Sequence, residues 1–287
     1  MFLDALLDSL IDVVKMLPVL FITYLIMEVL EQRSSARSSH AVSRSGRLGP
    51  LFGGIAGIFP QCGFSAAGAN LYAGGVITVG TLMAIFLSTS DEMLPIFISE
   101  MVHVDVILRV LALKLFIAVI SGFAVDWAKL LIRRYRRVPK DIHDLCEQDH
   151  CHCESGSIWT STLKHTIQIA LFILVATFLI NLGIAAIGEK TLADFLASMP
   201  FISVFLAALV GLIPSCAPSV IFTELFLQGL LGTPQMMAGL LVNAGVGLLV
   251  LLRSNRHWKE NAKVIAVLYV LGAGWGLLLQ LLNVQLM

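Results

Sequence analysis

The chain has 287 residues, of which 57% are hydrophobic and 13% charged; its formal net charge is +0 and its mean hydropathy +0.88. Soluble proteins carry about 25% charge, so this composition excludes a single water-facing domain and points to an integral membrane protein. Five cysteines, an odd number, do not suggest a disulfide framework.

The N-terminus carries Asp4, Asp8 and Asp12 where a secretory signal would be positive, so no signal peptide is expected. The first apolar segment runs from Ser9 to Leu30. The second, from Leu48 to Tyr72, is interrupted by Gly, Pro and Asn. The third covers Val76 to Ile98 and the fourth Val104 to Ile132. A polar linker follows, and then a similar series: Thr160 to Leu182, Met199 to Leu227, Pro234 to Leu252 and Ala262 to Leu282. A helical span needs about 20 apolar residues, which most of these supply.

The second series repeats the first. Gly57-Ile-Phe-Pro60-Gln-Cys62-Gly-Phe-Ser65 returns as Gly211-Leu-Ile-Pro214-Ser-Cys216-Ala-Pro-Ser219, at an offset of 154 residues. The same offset pairs Leu71 with Leu225, Gly75 with Gly229, Met83 with Met237, His103 with His257 and Gly122 with Gly276. Apolar matches are cheap in such a chain, but matched Pro, Cys, Gly and His are not. Duplicated halves with interrupted apolar segments are the pattern of secondary transporters.

Charge sets the expected topology. Arg33, Arg37, Arg44 and Arg47 lie in one connection, Arg133, Arg134, Arg136, Arg137 and Lys140 in the linker, and Arg253, Arg256, Lys259 and Lys263 in another. The positive-inside rule places these in the cytoplasm. Connections with Glu100 and Asp105, and with Glu189 and Asp194, fall outside, as do both termini. The chain between Arg47 and Ser99 must then cross an odd number of times, which a re-entrant hairpin plus one span satisfies. The hairpin turns at Pro60-Gln61-Cys62-Gly63, and Met199–Leu227 forms its counterpart from the other side. The expected fold is all-α: two inverted repeats, each of three spans and one re-entrant helical hairpin, ten segments in all. The first repeat covers 1–132, a cytoplasmic His/Cys-rich linker 133–159 and the second repeat 160–287. Irregular backbone at membrane depth survives only where protein buries it or where it lines a cavity, so the two tips are expected to meet near the midplane.

Phe59-Pro60-Gln61-Cys62-Gly63-Phe64-Ser65, Asn70-Leu71-Tyr72-Ala73-Gly74 and Phe86-Leu87-Ser88-Thr89-Ser90-Asp91-Glu92-Met93-Leu94-Pro95 resemble the bacterial ten-helix heavy-metal exporter family. Its members carry the labels arsenic efflux protein or manganese transporter. The resemblance covers both halves and implies a multi-pass protein of the bacterial cytoplasmic membrane with ten segments.

Asp91 and Glu92 lie inside the third apolar segment, where an ionisable group costs ~3 kcal/mol or more. Neighbours on a helix point about 100° apart, so both reach one ion only if the backbone unwinds, which Ser88-Thr89-Ser90 and Pro95 favour. Their counterparts by offset are Asn243, Ala244, Gly245 and Val246 for Thr89 to Glu92. Glu224 matches Asn70 in the returning arms. Oxygen ligands suit hard divalent cations; the matched thiols Cys62 and Cys216 suit softer species. The uncapped helix starts after each tip instead favour an anion. Expected substrate contacts are therefore Gln61, Cys62, Asn70, Ser90, Asp91, Glu92, Ser215, Cys216, Glu224 and Asn243, with Asp91, Glu92, Glu224, Cys62 and Cys216 as metal ligands. Lys114, deep in the fourth segment, needs a partner such as Asp91 or Glu92. His103 and His257 fall on opposite sides and read as loop residues. In the linker, His143, Cys146, His150, Cys151, His152 and Cys153 form a metal-capturing tract.

The expected function is secondary-active export of a divalent metal or a metalloid by alternating access, coupled to protons, since no nucleotide-binding G-x-x-x-x-G-K-[ST] occurs. Rival readings are an ion channel, or an anion or oxyanion carrier, on the same paired hairpins. A thiol enzyme is disfavoured, because no histidine stands beside either cysteine within a span. No tightly bound cofactor is expected; the partners are membrane lipid, the transported ion and, as one allowed assembly, a second copy of the chain, with no nucleic acid.

Overall fold

The computed structural model describes residues 48–59, 61–90, 92–131, 158–187, 202–255 and 257–286, with single positions between 10 and 25. Among the described residues every regular element is a helix. In chain order these are α1 Gly49–Gly57, α2 Gly63–Ala73, α3 Val79–Ser88, α4 Met93–Ser99, α5 Val104–Leu131, α6 Ile158–Ile187, α7 Ile202–Gly211, α8 Ala217–Leu227, α9 Thr233–Val242, α10 Gly247–Ser254 and α11 Trp258–Leu281. Residues 133–157 of the linker, including its His/Cys tract, lie outside the described residues, and its last two residues begin α6.

Both expected hairpins appear as helix–turn–helix units, α1–α2 and α7–α8. Their starts and stops have local causes. Pro50 and Pro218 occupy the first turns of α1 and α8, where a missing N–H costs nothing. Gly75 and Gly229, each at φ 73, turn the chain after α2 and α8; only glycine takes that conformation without steric cost. Val76 and Leu230 then bond back to the carbonyls of Leu71 and Leu225, both at 2.9 Å.

Four stretches are long and apolar enough to cross a membrane: Val79–Ser99, Val104–Leu131, Thr233–Ser254 and Trp258–Leu281. Two of them are broken. The first divides into α3 and α4 around Thr89–Glu92, and the third into α9 and α10 around Asn243–Val246. Unwinding within Val76–Ile98 was expected from Ser88-Thr89-Ser90; the Asn243 break was not expected as a break, since Pro234–Leu252 read as one span. The broken stretches are the interior ones, 71% and 83% buried, whereas α5 and α11 are 39% and 33% buried. The outward faces of α5 and α11 carry Leu108, Phe116, Trp127, Leu130, Val270 and Leu281. So large an apolar surface needs a non-aqueous surrounding.

Small residues set the close packing. Gly49, Gly53 and Gly57 recur every fourth residue on α1, and a Cβ on Gly53 would lie 2.9 Å from the Thr81 carbonyl on α3. Ser203, Ala207 and Gly211 occupy the same places on α7, all buried, with Gly211 against the backbone of Gly239 on α9. In membranes, where lipid is as apolar as leucine, such stripes let helices approach closely. The halves interlock: α2 packs on α10, and α8 packs on α4.

Candidate functional site

The site is built from the two hairpin tips. At each tip the chain bends back on itself, Gln61 N–H donating to Phe59 O at 2.7 Å and Ser215 N–H to Ile213 O at 2.8 Å. Cys62 and Cys216 then serve as the N-caps of α2 and α8 with near-helical backbones. Ser65 Oγ donates to Cys62 O at 2.8 Å, and Ser219 Oγ to Cys216 O at 2.7 Å. These hydroxyls anchor the tip carbonyls, so both tips share one geometry. The thiols meet: Cys62 Sγ and Cys216 Sγ are 3.5 Å apart and buried.

The broken helices close around the tips. A Cβ on Gly247, the first residue of α10, would lie 2.8 Å from Ser65 Cβ and 3.0 Å from the Phe86 ring. The start of α10 thus touches the start of α2 and the end of α3. At the first break Thr89 ends α3, its N–H on Ile85 O at 3.1 Å. Ser90 is buried and donates to Ser88 O at 3.0 Å. At the second, Asn243 ends α9 with its N–H on Gly239 O at 3.0 Å, and its Oδ1 accepts from Gly245 N–H at 3.0 Å. Gly245 takes φ 52 there.

Lys114 is the buried cation beside the first break. It lies in the middle of α5 with no exposed surface. The ammonium donates to the Thr89 carbonyl and to Leu240 O at 3.4 Å; Asp91, one of its two expected partners, lies outside the described residues. One cation thereby ties the end of α3 to α9. Backbone acceptors have no sequence identity, which is why no motif signals them.

The remaining expected residues divide. Gln61 is half-buried at its tip, and Ser215 is buried at the other with Oγ lacking a partner among the described residues. Glu92 is half-buried and forms the N-cap of α4 without a side-chain cap bond. Asp91 lies outside the described residues, as do His143, Cys146, His150, Cys151, His152 and Cys153. Asn70 is buried on α2, accepting from Ser254 Oγ on α10 at 2.7 Å. Its counterpart Glu224 is exposed, so the two returning arms do not present matched oxygens to one buried pocket. Among the described residues no three His, Cys, Asp or Glu side chains converge as a metal would require. A separate cavity of about 490 Å³ lies at the α4–α5 corner, lined by Glu100, His103 and, from α8, Leu227.

No protein-family model, curated protein or solved structure matches the chain.

Proposed function

We propose that this protein is a secondary-active transporter that moves a metal or metalloid species by alternating access, built as two inverted repeats and belonging to the ten-helix exporter type it resembles. The observation that carries the reading is the pairing of two broken, buried apolar stretches with two helical hairpins whose tips touch. Discontinuous helices around a central site are how secondary transporters expose backbone dipoles to an ion at membrane depth. Contacts between residues at the repeat offset support the two-fold relation. Cys62 meets Cys216, and Trp275 Nε1 donates to Ser121 Oγ at 2.8 Å; both pairs are 154 apart. A two-fold axis passing between the halves brings equivalent residues together in this way.

In this reading the substrate sits between the tips and the breaks, bounded by Cys62, Cys216, Ser90, Ser215 and Asn243. Asp91, Glu92 or Glu224 exchanges the coupling proton. Glu224, being exposed on a returning arm, belongs to a water-filled vestibule, since a carboxylate facing lipid is too costly. The linker tract collects ions beside the inner mouth.

The test is flux in proteoliposomes holding the full chain, offered Mn²⁺, Zn²⁺, Cd²⁺, arsenite, arsenate and phosphate, with and without a pH gradient. Uphill movement of one species that collapses with the gradient is expected. Movement that only ever runs downhill, at rates independent of pH, would make it a channel. No movement of any species would sink the transport reading.

A further inference from the structure

We infer that the central site is an oxyanion site: the transported species is held there as a small tetrahedral anion of the phosphate or arsenate class. This rests on the transporter reading above and names the chemical form of its substrate.

Three helix starts converge at the tips. Those of α2 and α8 touch through Cys62 and Cys216, and that of α10 touches α2 through Gly247 and Ser65. None of the three has a side-chain cap. Each uncapped start presents N–H donors and about half a positive charge. The buried Lys114 ammonium is bonded at Thr89, one turn beyond the Phe86 ring that meets Gly247.

Two buried side chains at these same starts await an acceptor. Ser215, 1% exposed, immediately precedes the α8 cap, and its Oγ has no partner among the described residues. Asn243, 3% exposed, leads into α10; Gly245 N–H holds its Oδ1, which fixes the amide, and its Nδ2 has no partner either. A buried donor left without an acceptor carries a desolvation penalty, and an oxyanion supplies the missing acceptor for both. A cation would face the opposite at these starts: an NH₂ group and three positive helix ends. Of the acids that argued for a cation, Glu224 is exposed and Asp91 lies outside the described residues. Glu92 is half-buried at the N-cap position of α4 and makes no side-chain cap bond there.

The purified full-length protein is titrated with phosphate, arsenate and sulfate, and separately with Mn²⁺ and Zn²⁺, following thermal stabilisation and then proteoliposome flux. Stabilisation by phosphate or arsenate is expected, with flux of the same anion. Ser215→Ala deletes a hydroxyl that has no partner in the unliganded fold, so a purely structural role predicts no loss of stability and unchanged binding. We expect intact folding with anion affinity about tenfold weaker, the loss of one hydrogen bond to a charged group. Asn243→Asp keeps the acceptor for Gly245 N–H but exchanges the NH₂ donor for a carboxylate oxygen, and should abolish anion binding. Stabilisation and flux with Mn²⁺ or Zn²⁺ alone, strengthened by Asn243→Asp, would overturn the oxyanion inference and leave the transporter standing. Absence of binding and flux for every ion would overturn both.

Discussion

Two sulfur atoms carry the sharpest test of the site's geometry. Cys62 and Cys216 are 154 residues apart in the chain and 3.5 Å apart in space. A disulfide needs the sulfurs at about 2.05 Å with compatible Cβ directions, so a shift of roughly 1.5 Å joins them. With Cys146, Cys151 and Cys153 changed to Ser, mild oxidation should link the two tips. After proteolysis within the linker, the halves should then run as one band without reductant and as two with it. Two bands under both conditions would show that the tips do not meet. The repeated G-x-x-P-x-C-x-x-S made this pair legible, because a motif preserved in both halves marks a turn with a shared constraint. Glu224 was not legible. A helix apolar on nearly every face gives no periodicity from which to read which way one carboxylate points, and the match to buried Asn70 suggested the wrong environment.

The helices repeat in backbone as well as in sequence. α2, α3, α4 and α5 begin at Gly63, Val79, Met93 and Val104; α8, α9, α10 and α11 begin at the corresponding Ala217, Thr233, Gly247 and Trp258. The side chains at matched contacts differ, however. Where α2 meets α10, Ser254 and Asn70 form a neutral buried hydrogen bond. The matched positions where α8 packs on α4 are Glu100, which lines the 490 Å³ cavity, and Glu224, both exposed. One contact is buried and neutral, and the other carries two exposed carboxylates. The close crossings depend on glycine. A Cβ on Gly122 of α5 would lie 2.6 Å from the Gly80 carbonyl on α3, while one on Gly274 of α11 would meet nothing within 4 Å. Gly122→Ala should therefore destabilise by ~1–3 kcal/mol through overpacking. Gly274→Ala should be neutral or stabilising by up to ~1 kcal/mol, since alanine is the better helix former. Thermal unfolding in one detergent compares them, and equal effects would contradict the α3–α5 crossing. The Gly122 match to Gly276 was visible in the sequence; the partner it approaches was not, because a carbonyl contact depends on crossing geometry.

At the scale of the molecule, a parallel and an inverted second half differ in which side of the membrane each matched loop faces. Helix boundaries and on-axis contacts fit a two-fold relation, and the direction of that axis relative to the membrane fixes the mechanism. An axis in the membrane plane exchanges the two mouths, so each half can adopt the other's conformation and access alternates. Asp105 and Lys259 occupy matched positions in the first turns of α5 and α11, with opposite charge, and both are exposed. The positive-inside rule puts Lys259 in the cytoplasm and leaves Asp105 outside. Among the described residues Asp105 pairs with Arg109, at 2.8 Å in an exposed pair worth at most ~1 kcal/mol, so cysteine is tolerable at either position. In a background with all five native cysteines replaced, Asp105→Cys should react with an impermeant maleimide from outside intact cells. Lys259→Cys should react only after the membrane is opened. Because the two sites are equivalent by the repeat, a parallel duplication predicts that both label from the same side, and that result would remove the inverted repeat and with it the rocking mechanism built on it.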